Sequence, residues 1–79
     1  MAQVKSDMHY YDIVRKNIKK YRKEKGYTQQ KLADEADMSI DYLAEIESDK
    51  RRKTFSLAIL GRIADVLEID IKDFFNNNN

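Results

Sequence analysis

The chain holds no proline and only two glycines in 79 residues, so almost nothing in it interrupts a helix. Abundant Lys, Glu, Leu, Ala and Ile fill the remaining positions, and each favours helix over sheet. An all-α fold without strands is expected. The length suits one domain with one small core and is short for two. The chain has no cysteine, which removes disulfides and thiolate metal sites and suits a reducing cytoplasm. No apolar run approaches the ~18 residues of a membrane span and no signal-peptide layout opens the chain, so a cytoplasmic location without membrane contact is expected.

Apolar spacing divides the sequence into helices. Residues 1–9 show no periodicity and are expected to form a flexible arm. From Tyr11 the series Tyr11, Val14, Ile18, Tyr21 follows helical spacing until Gly26, giving a first helix over about 11–25. Thr28 is a candidate N-cap for a second helix with Leu32, Ala33 and Ala36 inward. Asp37-Met38 is a very short connection, after which Ser39 can cap a third helix that turns Leu43, Ile46 and Glu47 inward. Two short helices joined so tightly form a helix-turn-helix candidate. Ser48–Phe55 reads as a polar, basic loop. Ser56 opens a fourth helix with one apolar face at Leu57, Leu60, Ile63, Ala64 and Leu67 and a second at Ile59 and Val66. Asp70 and Asp73 suggest a capped last turn, Ile71–Phe75, and the asparagines 76–79 read as a disordered tail. The domain is therefore expected to span residues 10–75.

Charge is distributed unevenly behind a formal net value of +1. Residues 15–25 hold Arg15, Lys16, Lys19, Lys20, Arg22, Lys23 and Lys25 against Glu24 alone, and Lys50, Arg51, Arg52 and Lys53 follow the third helix. Between them, residues 34–49 carry acids and no base.

From Gly26 the residues become specific: Gly26-Tyr27-Thr28-Gln29-Gln30-Lys31-Leu32-Ala33, Ala36-Asp37-Met38-Ser39, then Leu43-Ala44-Glu45-Ile46-Glu47, followed by Ser56-Leu57, Ile63-Ala64, Leu67, Ile69-Asp70-Ile71 and Phe74-Phe75. In order and spacing this resembles the lambda-repressor/Cro-like helix-turn-helix family, also called XRE. The resemblance implies a compact five-helix bundle and a regulator of transcription, a repressor or autoregulator, that binds a palindromic operator in double-stranded DNA as a homodimer. It places Gln29 at the DNA backbone, where a helix N-terminus offers free amides, and Thr28 and Ser39 are expected at the backbone as well. It also pairs Arg22 with Glu47, tying the first helix to the end of the third. Asp37 and Asp49 stand where the family often has glycine, and aspartate tolerates the left-handed geometry such turns need. The loop before Ser56 is about two residues longer than the family pattern and lacks its common proline.

In that family the third helix enters the major groove, which makes residues 39–48 the recognition helix. Ile40, Asp41, Ala44 and Glu45 would face the bases, with Tyr42 near phosphate. Asp and Glu can accept from the cytosine N4 amine, while Ile40 and Ala44 can pack on a thymine methyl. Affinity would come from Lys50, Arg51, Arg52 and Lys53 at the backbone. A dimer neutralising ~4 phosphates per subunit would show a log-log salt slope of about −7.

Catalysis is not expected. The single histidine, His9, falls in the arm, no glycine-rich phosphate loop occurs, and no carboxylate pair is walled from water; no metal, cofactor or small-molecule ligand is implied. A rival reading makes the acidic face of Asp34, Glu35, Asp37, Asp41 and Glu45 a docking surface for a basic protein. Ile59, Val66, Ile71, Phe74 and Phe75 exceed what a small core readily covers and form the expected dimer interface.

Overall fold

The structure, a computed structural model, describes residues 3–77. Its elements are α1 (His9–Glu24), α2 (Gln29–Glu35), α3 (Ile40–Glu47), α4 (Leu57–Leu67) and a closing 3-10 helix, Ile71–Phe75. Among the described residues there is no strand. The expected fifth α-helix is thus a 3-10 helix, leaving four α-helices. Asp70 sets this outcome: its backbone carbonyl accepts from Asp73 N–H at 2.9 Å, the i to i+3 spacing of the tighter helix, while its carboxylate accepts from Lys72 N–H. Of the expected arm and tail, Met1, Ala2, Asn78 and Asn79 lie outside the described residues.

Short polar residues fix where three helices begin. The hydroxyls of Thr28, Ser39 and Ser56 accept the backbone N–H of Lys31, Tyr42 and Ile59 at 3.0, 3.1 and 3.1 Å, each satisfying a donor the helix itself leaves open. α1 has no such signal: its N-cap is Met8, without a side-chain bond, and the helix begins at His9, two residues before Tyr11. His9 therefore belongs to α1 and not to the arm.

Three helices end in one motif. Gly26, Asp37 and Glu68 each adopt positive φ, at 79°, 58° and 58°. In each case the following residue donates back across six residues: Tyr27 to Arg22 O, Met38 to Ala33 O and Ile69 to Ala64 O, at 2.9–3.1 Å. This is the Schellman closure, which satisfies terminal carbonyls and reverses the chain within two residues. At Asp37 it leads directly into the Ser39 cap and so sets the angle between α2 and α3. Arg62 of α4 braces that turn, its Nη1 donating to the carbonyls of Ala36 and Asp37 at 3.2 and 3.0 Å. Asp49, by contrast, does not take positive φ; Arg52 does, at 47°.

The core gathers Val14 and Ile18 from α1, Leu32, Ala33 and Ala36 around α2, Leu43 and Ile46 from α3, Leu60, Ile63, Ala64 and Leu67 from α4, and Phe74. Small Ala33 and Ala36 let neighbouring helices approach. Phe74 is 0% exposed, so it is a core residue and leaves the expected dimer interface. Ile59, Val66 and Ile71 also pack partly against this core, and Phe75 alone of the five stays exposed.

Four polar side chains are buried with that core, Arg15 and Asn17 on one side and Arg22 and Glu47 at the candidate interface. Arg15 is 0% exposed, and its guanidinium donates to Asp12 Oδ1, Ile46 O and Lys53 O at 3.1, 2.8 and 3.1 Å. Asn17 donates to Phe74 O and Asn76 O, binding the 3-10 helix to α1. Arg15 is therefore no part of a surface cluster. It pins α1 to the end of α3 and to the loop beyond.

Candidate nucleic-acid interface

α3 presents a mixed face. Leu43 and Ile46 enter the core, which leaves Ile40 and Asp41 exposed and Tyr42, Ala44 and Glu45 half-buried at the rim. Asp41 lies in the first helical turn, where a negative charge opposes the helix dipole favourably. Ile40 is one of the few large apolar side chains left in water.

Behind this face, Arg22 and Glu47 meet as the resemblance implies. Nε donates to Oε2 at 2.8 Å and Nη2 to Oε1 at 2.9 Å, a two-pronged geometry, while Nη1 reaches Tyr27 O at 2.8 Å. Their side chains are 8% and 2% exposed. Gln29 joins the same carboxylate, Nε2 to Oε1 at 3.1 Å. The first residue of α2 is thus oriented by the last residue of α3, leaving the Gln29 amide carbonyl and second N–H available.

The loop after α3 is built on Ser48, whose hydroxyl accepts the backbone N–H of Lys50 and Arg51 at 3.2 Å each, and whose carbonyl accepts from Arg52. Lys50, Arg51, Arg52 and Lys53 all project into solvent. Three of these cations already hold carboxylates: Arg51 and Lys53 take Glu45, and Arg52 takes Asp12. Arg51, then Lys53, hold the Glu45 carboxyl below the usual carboxylate range. Arg52, then Arg15, do the same for Asp12, and Asp12 raises Arg52 in turn. In the free protein the Glu45 carboxylate, expected to face the bases, is thus held by Arg51 and Lys53.

Several contributors went unforeseen. Ser48 shapes the loop, Arg62 braces the turn, and Asp12 anchors Arg52 across 40 positions of chain. Arg15 could have been found: residues 11, 15, 18 and 22 share one helical stripe, so its charge sits on the buried face. An apolar groove of about 200 Å³ also opens where Tyr10, Tyr11, Val14, Phe55, Leu57, Leu60 and Phe75 converge. Leu57, foreseen as an inward residue, is 71% exposed on its rim. No cluster of potential metal ligands occurs among the described residues, and no helix among them is long and apolar enough to cross a membrane.

The helix-turn-helix family profile matches residues 18–74. The chain is 33% identical over 64 residues to the HTH-type transcriptional regulator SinR of Bacillus licheniformis, covering 81% of this chain and 57% of that protein. It is 34% identical over 59 residues to SinR of Bacillus subtilis, covering 75% and 52%. The chain thus spans just over half the length of these relatives. Among solved structures, the N-terminal DNA-binding domain of SinR from Bacillus subtilis superposes with a TM-score of 0.74 at 29% identity, covering 86% of this chain and 97% of that one. A hypothetical transcription factor, NHTF, from Neisseria reaches 0.78 at 18% identity, covering 96% and 85%, a likeness of fold.

Proposed function

The chain belongs to the lambda-repressor/Cro-like (XRE) helix-turn-helix family, and from that premise we propose that it binds double-stranded DNA sequence-specifically and regulates transcription, as a repressor or autoregulator at a two-fold symmetric operator. The observation that carries this reading is the junction of α2 and α3. The Schellman closure at Asp37, the Ser39 cap and the Arg62 brace fix two short helices against each other and leave Ile40 and Asp41 outward at the start of α3. That is the geometry by which a recognition helix enters the major groove. Ile40 and Ala44 pack on thymine methyls and Asp41 accepts from a cytosine amine. Gln29, Tyr42 and the basic loop 50–53 contact the backbone, with the backbone and hydroxyls of Thr28 and Ser39 at the helix starts. The relatives at 33% and 34% identity are named as transcriptional regulators, and the neighbour of 0.74 TM-score as a DNA-binding domain.

The protein acts as a homodimer in this reading, since a two-fold site doubles every contact. With Phe74 in the core, Phe75 and the groove beside Tyr10 and Leu57 offer the apolar surface for it. The alternative, an acidic docking face for a basic protein, is weakened by the internal pairing of Glu45 with Arg51 and Lys53 and of Glu35 with Lys31. Reversing charge with Arg51→Glu and Arg52→Glu separates the two: DNA binding should be abolished under the first reading and unaffected under the second. Unchanged affinity for duplex DNA refutes the backbone role of the loop.

A further inference from the structure

Three of the four cations of the basic loop are paired before any ligand arrives. Glu45 offers its two oxygens separately: Oε2 to Arg51 Nη2 at 2.5 Å and Oε1 to Lys53 Nζ at 3.4 Å. Its side chain is less exposed than either cation, so the acid is cradled and the bases are the cradle. The Lys53 ammonium also lies 5.6 Å from the centre of the Tyr42 ring, one turn earlier on α3. Asp12 does the same for the neighbouring position, holding Arg52 Nη2 at 2.6 Å. Among the described residues only Lys50 of the four loop cations lacks a carboxylate within ion-pair distance. A carboxylate set between a guanidinium and an ammonium presents two anionic oxygens much as a phosphodiester does.

We infer that Glu45 is an internal stand-in for a DNA phosphate: it occupies Arg51 and Lys53 in the free protein, and the backbone must displace it to use them. The inference rests on the DNA-binding reading above and assigns Glu45 a role different from base recognition. Binding becomes an exchange of one ion pair for another. The displaced carboxylate regains its own ion atmosphere, so net ion release is smaller than the phosphate contacts suggest and the salt slope is shallower. Because the carboxylate competes with phosphate and not with a base, it lowers affinity alike on every sequence. Recognition of the correct site by Ile40 and Asp41 must overcome that threshold, which keeps the protein off DNA it holds by charge alone.

The test uses the full chain and a duplex of arbitrary sequence several helical turns long, with affinity followed by fluorescence anisotropy from about 0.05 to 0.3 M KCl. Glu45→Gln should bind roughly two- to fivefold more tightly at about 0.1 M salt, the range that exposed ion pairs reach, and with a steeper salt slope. Glu45→Ala must behave the same way, since it removes the charge by a different side chain. In an Arg51→Ala, Lys53→Ala background the gain from Glu45→Gln should vanish, because its effect passes through those two cations. A gain that persists there means direct repulsion of phosphate and overturns the exchange. Weaker or unchanged binding also overturns it while leaving DNA binding intact. If neither the parent chain nor any variant binds duplex at the lowest salt, the DNA-binding reading itself falls and takes this inference with it.

Discussion

Truncating Arg22 to alanine should cost this domain much of its stability. The substitution deletes two bonds to Glu47 and one to Tyr27 O, all between 2.8 and 2.9 Å. It leaves a carboxylate whose side chain is 2% exposed with only the Gln29 amide, at 3.1 Å, to hold it. Removing one partner of a buried ion pair costs about 3–5 kcal/mol, because the survivor keeps its desolvation penalty and loses its compensation. A chain of this length has on the order of 4–12 kcal/mol in total. The loss should appear as a fall in Tm on the order of 20 °C. Urea denaturation of Arg22→Leu, Glu47→Leu and the double variant Arg22→Leu/Glu47→Leu gives the coupling. The double variant should recover most of the loss, since two apolar side chains leave no buried charge. A single-variant cost below about 1 kcal/mol, or a double variant no better than the singles, would refute the claim that this pair is buried and mutually dependent.

Arg15→Met should destabilise by about 2–4 kcal/mol, since the buried carbonyl of Ile46 and the part-buried carbonyl of Lys53 lose a charged donor; thermal melts showing under about 1 kcal/mol would place Arg15 at the surface. Asp37→Gly should stabilise by about 0.5–1 kcal/mol, because φ of 58° strains an L-residue and the closing bonds there are all backbone; a loss instead would mean that the aspartate side chain supports the turn. The Asp12 carboxyl is held below its ordinary value of 3.8 by Arg52 first and Arg15 next. Its contribution is therefore complete above that value and is lost as pH falls through the depressed folded-state pKa. Stability measured between about pH 2 and pH 6 should fall less steeply at the acid end for Asp12→Asn than for the parent chain.

What could be read in the sequence was what a few neighbouring residues decide. Thr28, Ser39 and Ser56 cap helices by reaching three residues ahead, and Gly26 and Asp37 close them within two, so both kinds of boundary were visible. α1 lacked a side-chain cap, and its start at His9 was missed for that reason. The 3-10 character of the last element depends on the i to i+3 bond at Asp70 and on packing of Phe74 beneath α1, which no local pattern announces. Phe74 and Phe75 are adjacent and chemically equal, yet one is core and the other surface. The pairings of Glu45 with Arg51 and of Asp12 with Arg52 were hidden more deeply. They follow from the fold of a loop in which Arg52, not Asp49, takes positive φ. Charge counted along the chain showed an acidic helix beside a basic loop; only in three dimensions does Glu45 meet Arg51 and Lys53, and Asp12 meet Arg52.

The claim on which the rest depends is that α3 reads duplex DNA in a two-fold arrangement. Selection of bound duplexes from a random pool, run in parallel on the parent chain and on Asp41→Ala, tests it most directly. The parent chain should enrich a palindrome whose half-sites are centred about one helical turn apart, and Asp41→Ala should lose preference at one symmetric pair of positions while keeping the rest. Enrichment of no sequence, or of an identical sequence by both proteins, would contradict the account.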